Sequence, residues 1–177
     1  AKFERAERII ANIPAPSEKK GDVNFFEVFD GKCSLDEFIA CLSISELEML
    51  THGDYKMNSP LGAKGNAGVF GGISESLREK GVPAVVTTDG PSGIRLMTYA
   101  SLLPCGTAIA STFNKDLVEK LYGAVAEEML KKGSDVLLAP GMNIHRDPLC
   151  GRNFEYFSED PVLSGYMASA VVKGLQS

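Results

Sequence analysis

Residues 82–95 read V-P-A-V-V-T-T-D-G-P-S-G-I-R, so a carboxylate, turn-forming residues and an arginine directly follow an apolar run. The run predicts a β-strand over residues 82–88, and a second apolar run predicts another over residues 135–139. Strands that are apolar throughout are covered on both faces, which is typical of parallel sheets with helices packed outside. This stretch therefore indicates an α/β fold.

The segments around these two strands alternate between helix and strand patterns. Helices are predicted over residues 74–80, 115–132 and 161–175, each with a capping residue or a glycine stop at its ends. Residues 106–110 predict a further short strand. Such alternation fits both a doubly wound sheet and part of a (β/α)8 barrel.

The amino-terminal part carries different signals. Proline, glycine and charge are mixed without periodicity, which predicts a linker or extended arm, outside the core, over residues 1–33. Two capping-box patterns follow, each a serine with a glutamate three residues later, at Ser34 and Ser43. They predict a helical hairpin whose second helix ends at Gly53.

Glycines are dense between Gly62 and Gly72, and a phosphate-binding loop is one interpretation of such a segment. The segment lacks the Gly-Lys-Ser or Gly-Lys-Thr ending of a P-loop, and no clear strand precedes it. A flexible loop near a site is therefore the favoured interpretation.

Composition excludes several classes of protein. The chain has 177 residues, of which 44% are hydrophobic and 23% charged, as in ordinary globular domains. A formal net charge of −5 argues against nucleic acid as a partner. The apolar runs are far shorter than the roughly 20 residues of a membrane helix, so no membrane partner is expected.

The cysteines and the amino terminus bear on location. The four cysteines lie at wide spacings without a C-x-x-C pair, which favours reduced thiols over a zinc site or a disulfide scaffold. The first residues, A-K-F-E-R-A-E-R, carry charges where a secretory signal has an apolar segment. A cytoplasmic protein is expected, although a processed secreted form fits equally.

Polar residues follow both predicted strands. Asp89 and Arg95 come after the first, and Asn143, His145, Arg146, Asp147 and Arg152 come after the second. Loops beyond the carboxyl ends of parallel strands form the ligand site of α/β proteins, so both groups are expected to face one cavity. The alternative is that these charged residues only pair with one another at the edge of the sheet.

Two motifs carry a family resemblance. D-G-P-S-G-I-R at residues 89–95 and A-P-G-M-N-I-H-R-D-P-L-C-G-R-N-F-E-Y-F-S-E-D-P at residues 139–161 resemble the amino-terminal part of the barrel domain of family 3 glycoside hydrolases, the β-glucosidase group. The resemblance implies a partial (β/α)8 TIM-type barrel over residues 34–177, incomplete at its carboxyl end. It also implies retaining hydrolysis of β-linked glucosides, with no metal and no organic cofactor.

The resemblance also implies roles for single residues. It places Asp89 against the C4 and C6 hydroxyls of the sugar in the deepest subsite, with Arg95 in the same wall and Arg152 gripping further hydroxyls. A carboxylate accepts hydrogen bonds from hydroxyls, and a guanidinium donates them. Glu155 either orients Arg152 or is structural.

His145 and Asp147 are expected to be scaffolding. Asp147, flanked by arginines, is expected to be an ionised member of an ion pair.

No residue of this chain matches the family's nucleophile or acid/base, so no catalytic residue is assigned here. The chain is thus expected to be the substrate-binding part of a β-glucosidase, and its partners are the glucoside, the remainder of the barrel and a sandwich domain. Alternatives are a noncatalytic sugar-binding or assembly subunit and, among enzymes, a β-xylosidase.

Overall fold

The computed structural model describes residues 21–177, which form a small mixed sheet with helices around it. The sheet has three strands in the order β1-β2-β3: β1 is Gly68–Gly71, β2 is Ala84–Asp89 and β3 is Val136–Leu138. β2 and β3 are parallel, with Thr87 beside Val136, as the apolar runs predicted. The α/β fold class and the partial barrel are confirmed.

Seven helices occur among the described residues. Three precede β1: α1 (Phe25–Phe29), α2 (Leu35–Ala40) and α3 (Ile44–His52). α4 (Glu75–Glu79) joins β1 to β2, and α5 (Gly106–Ala110) and α6 (Lys115–Lys132) lie between β2 and β3. A 3-10 turn (Asn153–Glu155) and α7 (Pro161–Leu175) follow.

The predicted helix caps are present. Ser34 and Ser43 each form a full capping box, and α3 ends at Gly53 with a φ of 64°. Asn114 caps α6, which ends at Gly133 in the left-handed conformation. Side chain-to-backbone bonds of this kind are local, so the sequence signals them directly.

Residues 106–110, predicted as a strand, are instead helix α5. Alanines favour a helix. A distant segment also stabilises α5, because the Thr107 hydroxyl donates a hydrogen bond to the Tyr156 carbonyl over 2.9 Å. Gly106 touches the Glu155 backbone so closely that a Cβ would lie 2.2 Å from its carbonyl oxygen. This packing against a distant segment has no local sequence signal.

The remaining strand, β1, lies in the glycine-dense segment that was predicted to be a flexible loop near a site. β1 runs antiparallel to β2, with Val69 beside Val86, and therefore differs from the parallel strands expected of the barrel. Glycine is needed there because a Cβ on Gly71, whose φ is 79°, would lie 2.5 Å from the Pro83 carbonyl oxygen. The glycines thus serve close strand packing.

The prediction of an extended arm outside the core is wrong for residues 25–29, which form α1. Asn24 caps this helix, and the Phe25 ring packs 5.2 Å from that of Phe38. Phe25 and Val28 cover a core cluster that includes Leu77. Residues 1–20 of the predicted arm lie outside the described residues, and the domain boundary at residue 34 stays a prediction.

A larger core cluster lies between α6, α7 and the sheet. Tyr122 and Val118 of α6 and Val171 of α7 are almost completely buried in it. At the sheet, the Asp135 carboxylate accepts a hydrogen bond from the Val86 amide over 2.8 Å. These contacts fix β2 and β3 side by side, so the loops that follow them open at the same edge.

Candidate functional site

The first part of the site is the turn after β2. Asp89 is the last residue of β2, and its carbonyl accepts a hydrogen bond from the Arg95 amide over 2.8 Å. The Arg95 Nη2 lies 3.1 Å from the Asp89 Oδ2, and both side chains are partly exposed. Gly93 has a φ of 107°, which favours glycine, and it turns the chain so that these two side chains meet.

The second part follows β3. Arg152 pairs through its Nε with Glu155, whose side chain is nearly buried in the 3-10 turn. The hydrogen bond to Glu155 is the main cause that raises the pKa of Arg152, and the negative charge of Asp89 adds to the effect. The Asp89 carboxylate at the end of β2 therefore adds a small electrostatic stabilisation to the charged form of Arg152.

The two loops share one cavity. A cleft of about 410 Å³ is lined by Asp89, Arg95 and Glu155, together with the turn residues 90–94 and with Leu96, Thr98, Ala100, Ser101 and Leu102. It lies at the carboxyl ends of β2 and β3, where α/β proteins bind ligands. Asp89, Arg95 and Glu155 of the two motifs thus meet at one cavity, whereas Arg152 is not among the residues that line it.

His145 and Asp147 do not line this cavity. A His145 ring nitrogen lies 3.1 Å from the Tyr156 carbonyl oxygen, and the Asp147 carboxylate accepts a hydrogen bond from the Leu149 amide over 2.9 Å. Within residues 21–177 no basic side chain pairs with Asp147, so the expected ion pair is wrong. Asp147 shapes a tight turn instead.

The loop at residues 57–66 overlaps the glycine-dense segment that was predicted to be a flexible loop near a site. Because β1 is antiparallel to β2, the segment before β1 lies at the same sheet edge as Asp89. The Met97 amide donates to the Lys64 carbonyl over 2.8 Å, which joins this loop to the segment after Arg95. The glycines predicted a loop near a site, but the sequence carries no signal for strand direction here, so the position of the loop beside the segment after Arg95 could not be predicted.

No group of three or more His, Cys, Asp or Glu side chains within residues 21–177 is placed to hold a metal ion. None of the helices in that range is long and apolar enough to span a bilayer. Cys33, Cys105 and Cys150 are free thiols.

Comparisons with known proteins agree with the two motifs. Residues 65–177 match the Glycosyl hydrolase family 3 N terminal domain. A β-glucosidase of Ruminococcus albus is 48% identical over an alignment that covers 100% of this chain and 19% of that protein. The β-glucosidase A of Butyrivibrio fibrisolvens is 42% identical over 90% of this chain. The chain thus spans about a fifth of the length of the curated relatives it matches.

Solved structures give the same result. The crystal structure of a β-glucosidase from Paenibacillus barengoltzii covers 99% of this chain with a TM-score of 0.91 and 46% identity, and the match spans 19% of that chain. β-Glucosidase 3B from Thermotoga neapolitana, solved in complex with α-D-glucose, matches with a TM-score of 0.60 and 47% identity. This match covers 67% of this chain and 17% of the Thermotoga chain. The chain therefore belongs to glycosyl hydrolase family 3, within the N-terminal domain of that family.

Proposed function

We propose that this chain is the substrate-binding part of a retaining β-glucosidase, which hydrolyses terminal β-linked glucose from oligosaccharides or glucosides. The observation that carries the proposal is the cavity in which Asp89, Arg95 and Glu155 meet at the carboxyl ends of β2 and β3. The β-glucosidase names of the relatives support glucose as the sugar. The cytoplasmic location that the wide spacing of the cysteines favours belongs to the same proposal.

In this proposal the cavity binds the terminal sugar through complementary hydrogen bonds. The Asp89 carboxylate accepts from two hydroxyls, while Arg95 and Arg152 donate to sugar oxygens. Glu155 holds Arg152 in place through their ion pair. Loss of one partner leaves the others buried against sugar without a hydrogen bond, which is costly.

The reaction itself needs two further carboxyl groups. Retaining hydrolysis uses a nucleophile and an acid/base about 5–5.5 Å apart across the glycosidic bond. Asp89 and Glu155 line the cavity, each is paired with an arginine, and both are assigned to binding. The nucleophile and the acid/base therefore belong to further sequence, in the remainder of the barrel or in a sandwich domain.

The test is kinetic. The full-length polypeptide that contains these residues is assayed with cellobiose and 4-nitrophenyl β-D-glucoside, and proton NMR identifies the first anomer released. Hydrolysis with β-glucose as the first product supports the proposal. No hydrolysis of either compound, with glucose still bound, would instead favour a noncatalytic sugar-binding subunit.

A second arm tests the chain by itself. We expect residues 1–177 alone to show no turnover of either glucoside. Turnover by this chain that disappears in Asp89→Ala would overturn the assignment of catalysis to further sequence. A variant with the exposed Asp30 replaced by alanine is the control, because Asp30 lies outside the cavity and pairs with the exposed Lys32.

A further inference from the structure

One wall of the cavity at the end of β2 is the loop that follows Arg95, and residues 96–102 are called the wall loop below. Ala100, Ser101 and Leu102 of this loop line the cavity together with Asp89. The wall loop contains neither helix nor strand, so no regular backbone ladder fixes its position. The contacts that it makes with other segments therefore determine where this wall lies.

Backbone hydrogen bonds fix the two ends of the wall loop. Near its start the Met97 amide donates to the Lys64 carbonyl over 2.8 Å. Directly after its end the Leu103 amide donates to the Ser92 carbonyl over 2.9 Å. Residues 99–101 lie between these two bonds, and another part of the molecule contacts them.

Two side chains of α6 bind the backbone of residues 99–101. The Ser101 amide donates to both carboxylate oxygens of Glu128, over 3.1 and 3.4 Å. The Lys132 ammonium donates to the Tyr99 carbonyl, and its Nζ lies 2.8 Å from the Glu128 Oε1. The two side chains are 20% and 19% exposed, so both are largely shielded from solvent. The Glu128–Lys132 pair thus joins α6 to the wall loop.

The neighbouring pair on α6 differs in its surroundings. Glu127 and Lys131 have the same spacing of four residues, but their nearest N–O distance is 3.4 Å and both side chains are exposed. A hydrogen bond from Lys132 is the main cause that lowers the pKa of Glu128, and the Ser101 amide contributes to the same shift. A charged carboxylate accepts an amide hydrogen bond more strongly than a neutral group does. The Glu128–Lys132 pair is therefore suited to holding a loop, beyond stabilising its own helix.

We infer that Glu128 and Lys132 are positioning residues of the sugar site, which keep the wall loop where it contacts a sugar bound at Asp89. The inference rests on the proposed function. Neither side chain lines the cavity, so both act through the loop backbone. The nucleophile and the acid/base are assigned to further sequence, so the wall contributes to binding and not to bond cleavage. An interaction made equally with substrate and transition state changes KM and leaves kcat unaltered.

The experiment measures kcat and KM separately for 4-nitrophenyl β-D-glucoside in the full-length polypeptide. In Glu128→Ala the Ser101 amide loses its acceptor, and we expect KM to rise by about tenfold, as for the loss of one hydrogen bond to a charged group. We expect kcat to stay within about twofold of the wild type. Glu128→Gln keeps an oxygen that accepts from the Ser101 amide, so it restores most of the wild-type KM. Hydrogen exchange of the wall-loop amides becomes faster in Glu128→Ala and slower again in Glu128→Gln.

The matched control is Glu127→Ala, which removes the adjacent carboxylate of the same helix and is expected to keep the wild-type kcat and KM. An unchanged KM in Glu128→Ala, in a protein that hydrolyses the glucoside, overturns the inference alone. An equal rise of KM in Glu127→Ala overturns it too, because a weakened helix then explains the effect. Equal values in Glu128→Gln and Glu128→Ala contradict an action through the Ser101 amide. No hydrolysis by the wild type overturns the proposed function, and the inference with it.

Discussion

Two ion pairs with similar distances occupy different surroundings in this molecule. The Lys80 Nζ lies 2.7 Å from the Glu46 Oε2, and the Arg95 Nη2 lies 3.1 Å from the Asp89 Oδ2. The Glu46 side chain is 7% exposed, whereas that of Asp89 is 39% exposed. The first pair joins α3 to the end of α4, and the second lines the cavity at the end of β2.

The two carboxylates differ in how far their oxygens are already occupied by hydrogen bonds within the protein. Glu46 also accepts a hydrogen bond from the Ser43 amide over 2.7 Å, so its oxygens are used within the protein. These contacts, with Lys80 first, lower its pKa to about 2. Among residues 21–177 only Arg95 pairs with Asp89, which leaves that carboxylate open to hydroxyls. The buried pair stabilises the fold, and the exposed pair is free to bind.

The largest expected effect is on Asp89. In the full-length polypeptide, Asp89→Ala is expected to lower kcat/KM for 4-nitrophenyl β-D-glucoside by about 10⁴-fold, because a site built to hydrogen-bond hydroxyls rejects a mismatch strongly. Stability should change by less than about 1 kcal/mol, since the pair is exposed. Kinetics and denaturant unfolding measure the two effects. A large loss of stability with activity retained would make this pair structural.

The converse variant is Glu46→Ala. It leaves the partly buried Lys80 without its partner, and breaking such a pair costs about 3 kcal/mol. Hydrogen exchange of the amides in α3 reports this loss, while kcat/KM for the glucoside stays unchanged. Unaltered exchange in α3 would show that the pair contributes nothing to the fold.

The pH dependence of stability provides a further test of the Glu46–Lys80 pair. The pKa of Glu46 is about 2 in the folded state against an ordinary value of 4.5, so its contribution is complete above pH 4.5 and is lost as the pH falls toward 2. We expect the stability difference between the wild type and Glu46→Gln to shrink by about 2 kcal/mol over that range. Denaturant unfolding at several pH values measures it. A constant difference would contradict the depressed pKa.

Local signals in the sequence predicted most of the fold around these pairs. The capping boxes at Ser34 and Ser43 involve residues three apart, and the apolar runs of β2 and β3 reflect burial on both faces. The helix at residues 106–110 and the strand at residues 68–71 were not predicted. Both depend on close packing against distant backbone, at Glu155 and at Pro83.

The candidate site likewise contains residues whose position local sequence signals predict and residues whose position they do not predict. Asp89 and Arg95 lie in a motif at the end of β2, so their place at the carboxyl end of the strand could be predicted from the sequence. For the loop at residues 57–66 the glycines predicted only a loop near a site, because its position beside Asp89 depends on the antiparallel direction of β1. Periodicity shows that a segment is a strand but not which way it pairs.

The smallest expected effect comes from a third pair, on the surface of α6. Glu127 and Lys131 are one helical turn apart, with 3.4 Å between Oε2 and Nζ, and both side chains are more than 70% exposed. Glu127→Ala should cost only about 0.3 kcal/mol in denaturant unfolding and should leave kcat/KM unchanged. The pair is at least as open to solvent as Asp89–Arg95, yet it does not line the cavity at the end of β2. If Glu127→Ala impaired glucoside hydrolysis as Asp89→Ala does, exposure of a carboxylate alone would explain the effect. If only Asp89→Ala impairs it, the decisive property is the cavity that the turn after β2 forms around the pair.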